Sequence, residues 1–291
     1  MLFSGLYTAL ITPFKNDKID EVAFEKLIEF QIKNGVDGIV PCGTTGESPT
    51  LTHEEHNLVI DLAIKIANKR IKVVAGTGSN STAEAIMMTS HALEAGADGC
   101  LIVAPYYNKP TQQGLYQHFK AINDNCEIPL IVYNIPGRSV VNITDETLAK
   151  LAQLKNIVGI KDATGDLARV ASLKLLVDKN FAIISGEDAT AVGFNAMGGC
   201  GVISVTANIA PKLCSDLQKA TQIGDYKTAV KIQDQLTSLH AAMFCETNPI
   251  PVKYAASLMG FCSGEVRLPL TEASEAAKIR VAAEMKKLGL I

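Results

Sequence analysis

Eight short apolar runs constrain the fold of this chain more than any other feature. They are "LYTALIT" (6–12), "GIVPCG" (38–43), "KVVAGTG" (72–78), "GCLIVAP" (99–105), "PLIVYN" (129–134), "IVGIKDA" (157–163), "AIISGED" (182–188) and "GVISVTA" (201–207). None alternates polar with apolar. Each must therefore bury both faces, as parallel strands do when helices cover them on both sides. Helical patterns fill the gaps. Asp20 caps a segment with Phe24, Leu27 and Ile28 on one face. Thr52 and Glu55 form a capping box before Leu58, Val59, Leu62 and Ile66, and Ser81 with Glu84 forms a second. Thr144 caps a helix carrying Leu148, Leu151 and Ala152.

Eight strand–helix units predict an α/β fold, a (β/α)8 TIM barrel. A doubly wound open sheet is the alternative, but its GxGxxG fingerprint after the first strand is absent. Beyond Gly224 the strands stop. The segments 225–244, 249–260 and 271–289 read as helices, so we expect a barrel over 1–224 and an all-α appendage over 225–291. Residues 189–211 carry no charge. Four glycines, two asparagines and a proline break this stretch, which therefore reads as a buried helix, a glycine turn and a buried strand rather than a membrane span.

Composition narrows the function classes. A net charge of −3 has no basic bias and argues against a nucleic-acid partner. The seven cysteines are odd in number and contain no CxxC, which fits reduced thiols in a cytoplasmic protein better than a disulfide framework. The N-terminus lacks the basic region of a signal peptide.

In such a barrel the chemistry lies where strands end and loops begin. The second strand ends in "CGTTGES" (42–48), whose glycines free the backbone to aim N–H groups at an anion and whose Thr44 and Thr45 add hydroxyls. An ordinary glycine turn is the plainer reading, and the absence of GK[ST] argues against a nucleotide loop. The fourth strand ends in "APYYNKP" (104–110), with Tyr106 and Tyr107 adjacent; packing tyrosines with a polar tip would look the same. The fifth ends in "VYNIPGRS" (132–139), with Tyr133 at the rim and Arg138 able to grip a carboxylate, unless it is simply a surface arginine.

The sixth strand ends in Lys161. An amine in an apolar barrel mouth is held toward its neutral, nucleophilic form, ready to make a Schiff base with a ketone. The competing reading is an ion pair with Asp162, but strand neighbours face opposite ways. "HEEH" (53–56) spaces its histidines three apart, not the four of a zinc helix, and reads as a solvated helix start rather than a metal site.

Taken in order, "GTTGES", "PYYNKPTQQG", "YNIPGR", "GIKDATGD", "SGED" and "GVISV" resemble the dihydrodipicolinate synthase family along essentially the whole chain. The resemblance implies a TIM barrel with a C-terminal helical domain, assembled as a homotetramer, a dimer of dimers. It implies a class I aldolase-type lyase that condenses pyruvate with L-aspartate 4-semialdehyde. The product is 4-hydroxy-tetrahydrodipicolinate, made in the first committed step of diaminopimelate and lysine biosynthesis.

By the same resemblance Lys161 is the Schiff-base lysine, and Thr44, Tyr133 and a neighbouring subunit's Tyr107 relay protons. Thr45 holds the pyruvate carboxylate, Arg138 the semialdehyde carboxylate, and Gly186 and Ile203 line the pocket. No metal or organic cofactor is implied beyond the covalent pyruvate imine. Ser48, His53, His56, Asn80, Glu84 and Tyr106 match the L-lysine site of feedback-inhibited members. Pro49 stands where a small residue such as alanine is usual, and stiffens that loop.

The nearest rival is another pyruvate-dependent aldolase, such as N-acetylneuraminate lyase or a 2-keto-3-deoxy sugar-acid aldolase. Arg138 and the paired tyrosines favour the short, carboxylate-bearing aldehyde. A non-catalytic sensor on the same barrel could dispense with Lys161 and Tyr133.

Overall fold

The computed structural model describes residues 1–291 and closes eight parallel strands into a barrel. The strands are β1 (Gly5–Ala9), β2 (Gly38–Val40), β3 (Lys72–Gly76), β4 (Gly99–Val103), β5 (Leu130–Asn134), β6 (Ile157–Asp162), β7 (Ala182–Ser185) and β8 (Gly201–Ser204). Each pairs with its sequence neighbours, and β8 closes onto β1. All eight expected runs are strands, but most leave the ladder two or three residues before the run ends. Those last residues are mostly apolar or small because they line the barrel mouth.

Helices α1 (Glu21–Lys33), α2 (His53–Ala67), α3 (Thr82–Ala95), α4 (Gln112–Asn125), α5 (Asp145–Leu151), α6 (Leu167–Lys174), α7 (Ala191–Ala196) and α8 (Pro211–Gln222) follow the strands in turn. Their caps are largely those the sequence predicts. Asp20 accepts from the Ala23 amide, Thr144 from Thr147, and the Thr52–Glu55 box closes in both directions. The second box does not close. Ser81 Oγ accepts from the Glu84 amide, but the Ser81 amide donates to Ser79 Oγ. The Glu84 carboxylate turns instead to Ser79 and His53. The charge-free stretch 189–211 resolves into α7, a turn and β8.

On α1, Phe24, Leu27 and Ile28 are fully buried. Truncating any one to alanine should cost about 2–5 kcal/mol. Three further helices follow: α9 (Tyr226–Met243), α10 (Ile250–Leu258) and α11 (Glu275–Lys287). Leu236, Leu239, Val252, Val281 and Met285 belong to the same apolar core as the barrel. All seven cysteines are free, four buried and three half-buried. No helix is long and apolar enough to cross a membrane.

Candidate active site

Register places Tyr133 on β5 directly beside Lys161 on β6, with Ile184 of β7 on the other flank. Lys161 is only 6% exposed, and its Nζ lies 4.3 Å from the centroid of the Tyr133 ring. Burial pulls the amine down to about 8, against the opposing pull of the Asp188 and Glu187 carboxylates; the Arg138 charge adds to the lowering. The Tyr133 phenol is buried too and is pushed well above its ordinary value, while Arg138 and the Thr44 hydroxyl work the other way.

Asp162 faces away from the mouth. It accepts from the Thr164 amide at 3.0 Å and from the Thr164 hydroxyl. Arg169 Nη1 approaches its free carboxylate oxygen to 3.0 Å, a charge contact rather than an aligned hydrogen bond. The expected separation of Lys161 from Asp162 therefore holds.

The threonine loop is a folded turn. The Gly46 and Ser48 amides donate to the Gly43 carbonyl, and the Glu47 amide to the Thr44 carbonyl. A Cβ on Gly46 would sit 3.0 Å from the Leu10 carbonyl, tighter than most Cβ contacts, so any larger residue would push the turn back by a few tenths of an ångström. The Thr44 and Thr45 amides donate to nothing within the chain, which leaves two N–H groups for an anion. Thr45 Oγ1 accepts from Asn248 Nδ2 at 3.0 Å. Arg138 rides on a one-turn helix, Pro136–Ser139, and its Nη2 donates to the Asn248 carbonyl at 3.3 Å.

A cavity of about 360 Å³ opens here. Thr44, Tyr133 and Arg138 line one part of it; Ser48, Pro49, His53, His56, Glu84 and Tyr106 line the rest. Three of the catalytic and substrate-binding residues named from the sequence thus share one space with six of the inhibitor-site residues. His53 Nε2 lies 2.8 Å from Glu84 Oε1. The Glu84 carboxyl is held below its usual range, first by Ser79 and then by His53.

His56 is not the solvated residue expected. Its ring is buried, with Nε2 2.9 Å from the Gly76 carbonyl, because its helix position turns it inward onto β3; burial lowers its pKa. Lys161, Thr45, Gly186, Ile203 and Asn80 are not among the residues lining this cavity; Lys161 lies behind the Tyr133 ring, which does line it. The Gly186 amide donates to the Asp162 carbonyl, Ile203 is buried on β8, and the Asn80 carbonyl accepts from Asn108 Nδ2. Tyr107 stands 89% exposed with φ of 69° and does not line the cavity of its own chain. No group of three or more His, Cys, Asp or Glu is arranged to hold a metal ion.

With this geometry in view, comparison with known proteins is decisive. Residues 2–288 match the Dihydrodipicolinate synthetase family. The chain belongs to that family. It is 57% identical over 290 residues to the 4-hydroxy-tetrahydrodipicolinate synthase of Parvibaculum lavamentivorans, covering all of both chains. It superposes with a TM-score of 0.97 on the chloride-inhibited dihydrodipicolinate synthase of Acinetobacter baumannii complexed with pyruvate, at 45% identity and full coverage of both. It also superposes, at 0.97 and 38% identity, on the enzyme of Cyanidioschyzon merolae with lysine bound, covering 100% of this chain and 99% of that one.

In this member of the dihydrodipicolinate synthetase family, most of the groups that sequence reasoning missed come from the C-terminal segment beyond α9. Besides Asn248, Lys253 of α10 is fully buried and pairs with Glu47 at 2.5 Å, two residues past Thr45. Its Nζ rests 4.0 Å from the Phe14 ring centroid. The Arg267 amide donates to the other Glu47 oxygen, and its guanidinium holds Glu55 in a fork at 2.6 Å on both prongs. Nothing local in "NPIPVK" signals these contacts, which span more than two hundred residues. "SGED" did flag the seventh strand's end, but only its glycine was singled out. Glu187 and Asp188 bear on Lys161 as well.

Proposed function

We propose that Lys161 condenses pyruvate with L-aspartate 4-semialdehyde through a covalent imine. The activity is that of a 4-hydroxy-tetrahydrodipicolinate synthase. The observation that carries this reading is the buried Lys161 amine, drawn down to about 8 beside Tyr133 in a chain of this family.

The neutral Nζ attacks the ketone carbon of pyruvate, and the carbonyl oxygen leaves as water. The iminium withdraws electrons, so the pyruvate methyl gives up a proton and an enamine forms. The enamine carbon bonds to the aldehyde carbon of the semialdehyde, whose oxygen takes up a proton. The semialdehyde's own amine then attacks the imine carbon, closes the ring and releases Lys161. Tyr133 and Thr44, with Tyr107 from a second copy, carry the protons. The two free amides and the hydroxyl of Thr45 hold the pyruvate carboxylate, and the Arg138 fork takes that of the semialdehyde. Gly186 and Ile203 bound the pocket on the β7 and β8 side. No metal or organic cofactor takes part.

The same proposal makes the other end of the cavity a site for L-lysine. Glu84 would take an ammonium group, while Ser48, His53, His56, Asn80, Tyr106 and the Pro49 carbonyl complete the shell. Lysine bound to the C. merolae relative supports this. A homotetramer in the cytoplasm, with a barrel over 1–224 doing the chemistry and helices over 225–291 bracing it, belongs to the same reading.

Borohydride reduction in the presence of pyruvate is the test. Mass spectrometry should find a single irreversible adduct on Lys161, and turnover should require the semialdehyde rather than sugar-derived aldehydes. An adduct elsewhere, or none, sinks the mechanism. Millimolar L-lysine should slow turnover, and Glu84→Gln should abolish that inhibition while sparing turnover itself.

A further inference from the structure

Resting on the Schiff-base reading above, we infer that Asn248 is a positioning residue for the carboxylate-holding end of the site. It lies between α9 and α10 and is 5% exposed. Its Nδ2 donates to Thr45 Oγ1 at 3.0 Å, and its backbone carbonyl accepts from Arg138 Nη2 at 3.3 Å. Neither Thr45 nor Arg138 makes another side-chain hydrogen bond within the chain. One residue therefore orients both groups that face substrate carboxylates.

The chemistry of the contact matters. A threonine hydroxyl carries one proton. When its oxygen accepts from Asn248, that proton is left to point elsewhere, and Thr45 becomes a donor, as a carboxylate requires. The Arg138 fork, tied down by one prong, keeps its remaining donors for a ligand. Asn248 Oδ1 is buried without a partner. Asn195 Oδ1 and Gln233 Oε1 are left unmatched in the same way, so it is the two contacts Asn248 makes that single it out. The tie is stiff at both ends, since Lys253 on the following helix is locked to Glu47 on the threonine loop.

Asn248→Asp tests this at constant size. It swaps the donor facing Thr45 for an acceptor, turns the Thr45 proton inward and adds negative charge near a carboxylate. The expected result is a KM for pyruvate raised about 10- to 100-fold, the range for losing a hydrogen bond to a charged group. The kcat at saturating pyruvate and the melting temperature should change little. The pyruvate concentration that half-saturates borohydride trapping on Lys161 should rise in parallel. Acidification should return the variant's KM toward the unaltered value, because protonating the introduced carboxylate restores a donor. Asn248→Ala, which loses the donor without adding charge, should show a smaller rise and no such pH dependence.

Unchanged pyruvate dependence in both variants overturns the inference. So does a loss confined to kcat and melting temperature, which would mark Asn248 as packing. No adduct in the unaltered chain is a different failure: it removes the Schiff-base reading beneath.

Discussion

At Lys161 an apolar strand delivers an amine that forms no direct ion pair, although the Asp188 and Glu187 charges act on it, and its protonation sets the pH response. Burial lowers its pKa to about 8, so the charged form dominates below that value. Below pH 8 the neutral fraction falls about tenfold per pH unit. Imine formation at limiting pyruvate, followed by stopped borohydride trapping, should therefore climb with pH and level off above about 8. Glu187 works against the lowering. Removing its charge in Glu187→Gln should move the rise to more acid pH, and a shift the other way would contradict the assignment. Alternation along β6 was enough to foresee that Lys161 and Asp162 part company, because that rule is local. The burial of His56 was not foreseeable in the same way. Whether a first-turn histidine meets water or a strand carbonyl depends on what packs beneath the helix.

The elements show where sequence reading stops. Strand starts were legible to within about a residue, because burial of both faces begins sharply where a helix delivers the chain to the barrel. Strand ends were overrun, because mouth residues such as Pro41, Cys42 and Ala104 stay buried after the ladder is gone. The threonine loop was recognised by its glycines and hydroxyls. Its buttress was not, since Lys253 looks like an ordinary helix-surface residue until α10 is docked.

The Glu47–Lys253 pair yields an element-level prediction. Lys253→Met leaves the buried Glu47 carboxylate without a counter-charge, with only the Arg267 amide to meet it, and should cost about 3–5 kcal/mol in urea unfolding. Adding Glu47→Gln to the same chain should recover most of that loss. If the double variant is as unstable as the single, the pair is not what fixes the loop.

Taken as a whole molecule, the chain carries one of its proposed relay groups where its own cavity cannot use it. Tyr107 projects from the loop after β4 into solvent. A two-fold partner that supplies Tyr107 in trans predicts complementation. Mixed subunits of Lys161→Ala and Tyr107→Phe should regain unaltered activity at about a quarter of the sites, because each hybrid pair holds one intact site and one doubly damaged site. Activity no higher than the sum of the two parents would place Tyr107 outside the site. The C-terminal helices have a consequence of another kind. A gene truncated after codon 244 would still encode all eight strands and every functional residue named from the sequence. Anyone scanning genomes for this lysine and these threonines would count it as intact. Its product would lack Asn248, Lys253 and Arg267, and with them the side chains beyond the barrel that hold the threonine loop.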